Sequence, residues 1–157
     1  MLRFERATPE DAPLLAEVSR RAFHNDIHYE GPGEGGPPGY DSAEWQILAM
    51  NHCMYYEILF DDKIIGGFFI LDKGDGHYEL VRIFIDPDFQ NQGIGTRTLE
   101  FMWQTFPEAT KWTLDTPAWN LRTQHFYETM HFVKVGTRRE GWGTLVLYEK
   151  RVAEQSS

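Results

Sequence analysis

A short glycine-containing loop separates a strand-like segment from a helix-like segment over residues 77–106. The segment "HYELVRIFIDP" is rich in β-branched and aromatic residues, which is typical of a strand. From Leu99 onward, apolar residues recur at i, i+3, i+4 and i+7, which predicts an amphipathic helix. A second strand-like segment, "KWTLDT" (111–116), follows the helix. A strand–helix–strand crossover of this kind places its two strands parallel in one sheet.

Antiparallel hairpins flank this crossover, because turn signals at 61–63 and at Asp75–Gly76 join three successive strand-like segments. The Gly- and Pro-rich residues 29–40 predict a surface loop. The predicted strands are 2–7, 53–62, 63–72, 77–87, 111–116, 132–137 and 144–152, and the predicted helices are 8–23, 42–50, 94–106 and 121–130. The order β-α-α-β-β-β-α-β-α-β-β predicts an α/β (α+β) fold, with a mixed, mostly antiparallel sheet of about seven strands and helices on both faces. We expect one domain over 1–152 and a polar tail at 153–157.

Composition excludes several classes of function. The net charge of −9 and the lack of a basic cluster argue against a nucleic-acid partner, since phosphate contacts need clustered Lys and Arg. The one cysteine, Cys53, excludes an intrachain disulfide and a zinc knuckle, and we predict no metal. No apolar run of 18 residues occurs and the first residues are charged, so we expect a cytoplasmic protein without a membrane partner.

Three types of phosphate-binding loop are compared with "QNQGIG" (90–95). A Walker loop requires a lysine after its last glycine, and none follows Gly95. A dinucleotide fingerprint requires a third small residue where this chain has Thr98. It also requires an acidic residue at the end of the next strand, and Asp115 stands at a fitting distance for that role. This alternative is therefore weakened and stays open. The third pattern, Q/R-x-x-G-x-G/A, fits, and it directs backbone amides at a pyrophosphate at the start of a helix. An ordinary glycine-rich helix start also remains open.

Two motifs together are more specific than the loop. The run "ELVRIFIDPDFQNQGIGTRTLEFM" resembles the pyrophosphate-binding motif of the GCN5-related N-acetyltransferases. The later run "NLRTQHFYETMHF" resembles that family's motif N-x-x-A-x-x-x-Y-x-x-x-G-F, with Asn120, Tyr127 and Phe132 matching. Thr123 replaces the usual Ala and His131 replaces the usual Gly. The resemblance covers roughly residues 53–150.

The resemblance implies an acyl-CoA N-acyltransferase fold that moves an acetyl group from acetyl-CoA to a primary amine by direct attack in a ternary complex. It implies a bulged central strand that diverges from the next strand, so that the pantetheine arm of coenzyme A pairs with the open edge. By position, the cofactor would contact the following residues: Ile83, Phe84, Ile85, Gln90, Asn91, Gln92, Gly93, Ile94, Gly95, Thr96, Asn120 and Tyr127. Asn120 also fits a helix cap, and both roles are compatible.

Direct attack on a thioester requires an amine that has lost its proton and a thiolate that is helped by receiving one. Tyr127 is the candidate acid; without the motif, it would be interpreted as a core aromatic. Glu79 is the candidate base, acting through water, and is expected to share a strand face with Ile85 six residues later. An ordinary solvated carboxylate is the alternative for Glu79, and Asp115 is the second candidate base.

The resemblance places the acceptor beneath the region around the 29–40 loop. Acidic and aromatic residues there suit a cationic amine, either a small molecule or a peptide. The candidate contacts are Tyr29, Tyr40, Asp41, Trp45 and Asp115, although a solvated loop with packed aromatics has the same composition. His24 and His28 lack a third ligand and are interpreted as surface histidines.

Two other functions remain open at this point: a non-catalytic acyl-CoA-binding module and, less favoured, a nucleotide-binding domain. The paired C-terminal strands could also support a homodimer.

Overall fold

A seven-stranded sheet runs through the protein, as seen in a computed structural model that describes residues 1–25, 36–141 and 143–152. Its strands are β1 (Leu2–Arg6), β2 (Met54–Phe60), β3 (Lys63–Gly74), β4 (His77–Ile85), β5 (Lys111–Pro117), β6 (Val133–Glu140) and β7 (Gly143–Arg151). The α-helices of the described residues are α1 (Ala12–His24), α2 (Ala43–His52), α3 (Ile94–Thr105) and α4 (Leu121–Thr129). The predicted order of strands and helices is confirmed.

The sheet is mixed and mostly antiparallel, as predicted. Its strands lie in the order β1-β2-β3-β4-β5-β7-β6, and β4 with β5 is the parallel pair, joined by α3. The hairpin between β3 and β4 turns at Asp75 and Gly76, whose φ angles of 54° and 80° are those that such two-residue turns require. A dinucleotide-binding domain is built on a mostly parallel sheet, so the nucleotide-binding alternative does not fit this fold.

Helices cover both faces of the sheet, which is also as predicted. One core lies between the sheet and the α3/α4 side, where Leu99 and Met102 of α3 pack with Trp112 of β5. The second core lies on the α1/α2 side, where Leu15 of α1 packs with Phe69 of β3. We call these two sides the α3/α4 face and the α1/α2 face. No helix in the described part of the chain is both long and apolar enough to cross a membrane.

Candidate active site

A cleft opens between β4 and β5, because the two strands pair over only part of their length. His77 to Glu79 pair with Lys111 to Thr113, and the strands then continue to Ile85 and Pro117 without pairing. On its other edge, β4 stays paired with β3, but the register shifts between Arg82 and Leu80 and leaves Val81 as a bulge. The bulge and the diverging strands that the family resemblance implied are therefore both present.

The open edge of β4 presents peptide groups to the cleft. The N–H of Asp86 donates to the carbonyl of Ile65 in β3 at 2.7 Å, which fixes the alternation of the strand. The peptide groups of Phe84 consequently point to β3, whereas those of Ile83 and Ile85 point to the open side. Of these three predicted contacts, Ile83 has both backbone groups on the open side, and Ile85 has its N–H there, since its carbonyl accepts from Gln90 at 3.0 Å. Phe84 supplies a buried side chain instead.

The loop after β4 ends in a helix start without a side-chain cap. Gly93 precedes α3 with φ 78° and ψ 7°, a left-handed conformation that glycine adopts without strain. The first backbone bond in the helix runs from the N–H of Arg97 to the carbonyl of Gly93 at 3.1 Å. The N–H groups of Ile94, Gly95 and Thr96 therefore lack partners within the helix and carry its positive dipole end. Such a helix start favours a bound anion.

Space around the two glycines differs. A β-carbon on Gly93 would have no protein atom within 4 Å, so this backbone faces open space. A β-carbon on Gly95 would lie 3.1 Å from the ring of Phe126 in α4, so Gly95 allows α3 and α4 to approach each other. Asn91 and Gln92 are exposed, and Asn91 also has a left-handed backbone with φ 63°.

Side chains hold this loop to β4 and α1. Gln90 donates from its amide to the carbonyl of Ile85 at 3.0 Å and accepts from Asn25 at 3.4 Å. Asp86 is fully buried; it accepts from the N–H of Asp88 at 3.0 Å and forms an ion pair with Arg21 of α1 at 2.7 Å. The loop shape is therefore set by contacts within the protein.

Tyr127 and Asn120 lie on the α3/α4 face. Asn120 caps α4, with its Oδ1 accepting from the N–H of Thr123 at 3.1 Å. Tyr127 is 6% exposed, and the rings of Phe132 and Tyr148 lie 5.8 and 6.3 Å from its own. Its hydroxyl makes no hydrogen bond to any described residue. Burial raises the pKa of Tyr127, and the negative charge of Asp115 raises it further, so the phenol keeps its proton at neutral pH.

Glu79 lies on the opposite face from the one expected. Tyr78 and Leu80 pack in the core of the α3/α4 face, and so do Ile83 and Ile85 beyond the bulge. Glu79 lies between Tyr78 and Leu80 in the strand, so its side chain points to the other side of the sheet, the α1/α2 face. The expectation that Glu79 shares a face with Ile85 is wrong, because the extra residue of the bulge inverts the alternation between them.

Asp115 shares the face of Glu79. On β5, Leu114 packs in the core of the α3/α4 face, and Thr116 bonds to Thr123 of α4 at 2.7 Å, so Asp115 between them points the other way. Each carboxylate has a cation beside it: Lys73 lies 3.3 Å from Glu79, and Arg138 lies 3.0 Å from Asp115. The two candidate bases thus lie on one face of the sheet, on the two strands that border the cleft.

The predicted acceptor region contains a packed aromatic group. The hydroxyl of Tyr40 lies 2.7 Å from Nε2 of His24, and Trp45 lies in the first turn of α2. The guanidinium of Arg82 lies 4.3 Å from the centre of the Trp45 ring. The cation that contacts this ring is therefore a side chain of the protein, where a cationic acceptor was expected. Asp41 is exposed, and Tyr29 and His28 lie outside the described residues. Among the residues that the structure describes, no three His, Cys, Asp or Glu side chains are close enough to hold a metal ion.

A sequence model of the Acetyltransferase (GNAT) family matches residues 20–132. This chain belongs to the GNAT family.

Other comparisons find one protein similar to this GNAT acetyltransferase in sequence and others similar to it in fold. The uncharacterized protein YrkN of Bacillus subtilis is 26% identical over 125 residues, covering 78% of this chain and 68% of that protein. The ribosomal-protein-S18-alanine N-acetyltransferase of Escherichia coli has a TM-score of 0.79 at 17% identity, covering 99% of this chain and 97% of that one. The PaiA N-acetyltransferase of Thermoplasma acidophilum, solved with coenzyme A, has a TM-score of 0.79 at 17% identity, covering 97% and 99%.

The two departures from the GNAT motif have structural explanations. Thr123 at the alanine position uses its hydroxyl to bridge α4 to Thr116 of β5. His131 at the glycine position adopts φ 72°, the left-handed backbone that glycine would supply. The N–H of Phe132 bonds to the carbonyl of Tyr127 and that of His131 to the carbonyl of Glu128, which is the usual glycine-type helix end. The helix therefore ends in the same way despite the histidine.

Three residues of this GNAT site were missed by the sequence analysis. Asp86 carries a local signal, since an Asp directly before Pro87 is typical of a capped turn. Arg21 and Arg82 carry none, because their partners lie far away in the sequence.

Proposed function

We propose that this GNAT acetyltransferase moves an acetyl group from acetyl-CoA to a primary amine by direct attack in a ternary complex. The observation that carries the proposal is the open edge of β4, which leads directly into the uncapped start of α3. An extended chain with amide groups and a pyrophosphate at one end matches both features. A cytoplasmic location and a cationic small molecule or peptide as acceptor belong to the same proposal.

The donor would bind along the open edge of β4. Its pantetheine amides would pair with the peptide groups of Ile83 and with the N–H of Ile85, in the manner of an added strand, while the carbonyl of Ile85 accepts from Gln90. Its pyrophosphate would accept from the N–H groups of residues 94–96, where Gly93 leaves open space. No basic side chain is required, so the net charge of −9 is compatible with an anionic donor. Asn120 uses its oxygen to cap α4, and its amide N–H₂ remains available for a cofactor carbonyl.

In the reaction, the amine nitrogen forms a bond to the acetyl carbon and the carbon–sulfur bond breaks. Tyr127 is assigned as the acid beside the departing sulfur. Its O–H would donate a hydrogen bond to the sulfur as negative charge develops there. A thiol has an ordinary pKa of about 8.5, whereas burial raises the pKa of Tyr127 above its usual value. The phenol therefore stays protonated at neutral pH, so it can donate a hydrogen bond to the developing thiolate and does not serve as the base.

Glu79 is assigned as the base that removes the proton of the attacking ammonium through water. It is the last residue of β4 that pairs with β5, so it lies where the two strands begin to diverge. Its side chain is 25% exposed, which leaves room for a water molecule and for an amine arriving from the α1/α2 face. Asp115 shares that face on the other side of the cleft and is the second candidate.

Two measurements test the proposal. Acetyl-CoA should raise the melting temperature of the protein, whereas NAD and ATP should not, because they lack a pantetheine arm. Thiol release from acetyl-CoA should then depend on an added amine, measured over a panel of amino acids, polyamines, aminoglycosides and peptides. Binding of acetyl-CoA without amine-dependent thiol release from any panel member would contradict transfer to an amine.

A further inference from the structure

A short segment before α2, residues 37–41, lies along the acceptor side of the cleft. It contacts β4 in the part of that strand that is not paired with β5. Nη2 of Arg82 donates to the carbonyl of Pro38 at 3.1 Å. The rings of Tyr40 and Phe84 lie 5.9 and 6.5 Å from the ring of the same α1 phenylalanine. The 37–41 segment therefore follows the α1/α2 face of β4 beside its open edge, and this is the face to which both candidate bases point.

Gln46 of α2 holds the 37–41 segment from within the core. Its side chain is fully buried, and its Nε2 donates to the carbonyl of Gly39 at 3.3 Å and to that of Tyr40 at 3.4 Å. A β-carbon on Gly39 would lie 2.0 Å from the ring of Trp45, so the backbone of the segment packs directly on α2. One side-chain amide thus ties two successive peptide carbonyls of the segment to the helix.

Tyr55 of β2 sets the orientation of the Gln46 amide. Its hydroxyl donates to Oε1 of Gln46, and both side chains are buried. Burial raises the pKa of Tyr55, so the phenol keeps its proton and remains a donor. Because Oε1 accepts from this donor, the N–H₂ group of the amide faces the 37–41 segment. A reversed amide would bring its oxygen to the two carbonyls, and two acceptors form no hydrogen bond.

We propose that Gln46 is a positioning residue for the acceptor: it fixes the 37–41 segment as one wall of the acceptor site, and Tyr55 acts through it. The inference rests on the proposed transfer to an amine. An amine binds productively only to molecules in which the wall is in place, so its apparent affinity falls with the fraction of such molecules. A saturating amine offsets that loss, so KM should change and kcat should not. The proposed donor contacts on β4 and α3 involve neither Gln46 nor Tyr55, so the Kd for acetyl-CoA should stay the same.

The first experiment measures steady-state kinetics at saturating acetyl-CoA with the best amine of the panel. Gln46→Met keeps the length of the side chain and removes its hydrogen bonds. We expect it to raise the KM for the amine at least about fivefold, the equivalent of roughly one hydrogen bond. Tyr55→Phe should raise the KM less, because it removes only the group that orients the amide. Added to Gln46→Met, it should have no further effect on KM, since it acts through Gln46.

Tyr78→Phe is the matched control. It removes the hydroxyl of another buried tyrosine, one that bonds to Glu108 and packs on the α3/α4 face, and it should leave the KM for the amine unchanged. An unchanged KM in Gln46→Met overturns the proposal, and Tyr55→Phe replaces that variant if it does not fold. An equal rise in KM in Tyr78→Phe, or a parallel rise in the Kd for acetyl-CoA, would show a general loosening of the protein and also overturns it.

Hydrogen exchange tests the positioning without catalysis. The N–H of Tyr40 bonds to the carbonyl of Pro37 and that of Ser42 to the carbonyl of Gly39, both at 3.1 Å. These amides should exchange at least about fivefold faster in Gln46→Met, whereas peptides from α3 and β4 should keep their rates. Equal exchange in the variant and the unmodified protein overturns the role of Gln46.

The outcomes separate this role from the proposed function. If no amine releases thiol from acetyl-CoA, the proposed function fails and the role in acceptor binding fails with it. Amine-dependent thiol release with an unchanged KM in Gln46→Met supports the proposed function and overturns the role of Gln46 alone.

Discussion

Glu57 of β2 offers a test of buried electrostatics that does not depend on the catalytic assignment. Its side chain is 6% exposed, and it faces Asp11, which directly precedes α1. Burial, followed by the hydrogen bond with Asp11, raises the pKa of Glu57 from 4.5 to about 8. Glu57 therefore carries a proton at neutral pH beside the carboxyl group of Asp11.

The sign of the effect on stability follows from proton binding. Between pH 4.5 and 8, folded Glu57 holds a proton that the unfolded chain has released, so the free energy of unfolding falls as pH rises through this window. The loss caused by Glu57 is about 1 kcal/mol at pH 5 and about 3 kcal/mol at pH 7, relative to a pH below both pKa values. Glu57→Gln should recover these amounts, because its amide can donate to Asp11 without first taking up a proton.

The assay is thermal or denaturant unfolding of Glu57→Gln and the unmodified protein at pH 5 and pH 7. At pH 7, a gain of about 3 kcal/mol corresponds to a rise in Tm of roughly 6–12 °C for a chain of this size. Glu10→Gln, the same change at an exposed position beside Asp11, is the matched control and should change Tm little at either pH. A Tm gain of equal size at both pH values, or a loss at pH 7, would refute the buried protonated pair.

Four further predictions concern the site and its helices. Tyr127→Phe should lower kcat about 100-fold with nearly unchanged Kd for acetyl-CoA, and an unchanged kcat would remove Tyr127 as the acid. Glu79→Gln should lower kcat and remove the limb of the pH–rate profile that belongs to the base; if only Asp115→Asn does so, Asp115 is the base. Gly93→Val should raise the Kd for acetyl-CoA at least about tenfold, because a side chain with an unfavourable left-handed backbone enters the open space at the helix start, and a retained Kd would contradict the loop assignment. His131→Gly should raise the free energy of unfolding by about 1 kcal/mol by removing the strain of φ 72°, and a lower Tm would contradict that reading.

Local patterns were sufficient to predict the fold. The hairpin turn at Asp75–Gly76, the helical spacing that starts at Leu99, and the strand-like run before Asp86 each depend on residues close together in the sequence. The order of these segments then restricts the sheet to a mixed one. The way α4 ends at His131 was harder to predict, because histidine rarely adopts the left-handed backbone. The hydrogen bonds that stabilise this conformation run to carbonyls of the last helical turn.

The candidate site depended on one feature that the sequence does not encode locally. Val81 is a β-branched residue in an ordinary strand pattern, and only the pairing with β3 turns it into a bulge. The faces of Glu79 and Arg82 follow from that pairing, as does the stacking of Arg82 on Trp45. Sequence reasoning therefore found the candidate residues of β4 but gave the wrong face for one of them.

The bulge has a direct consequence for the proposed chemistry. Tyr127 packs on the α3/α4 face, whereas Glu79 and Asp115 point to the α1/α2 face, so the assigned acid and the candidate bases lie on opposite sides of the sheet. A reaction in the gap between β4 and β5 can then receive the amine from one side and release the thiol toward the other. In the tetrahedral intermediate, the nitrogen and the sulfur are separate substituents of one carbon, and this arrangement gives each of them its own proton-transfer group. Without the extra residue, Glu79 would alternate regularly with Ile83 and Ile85 and point to the side of Tyr127, where the departing sulfur requires a donor.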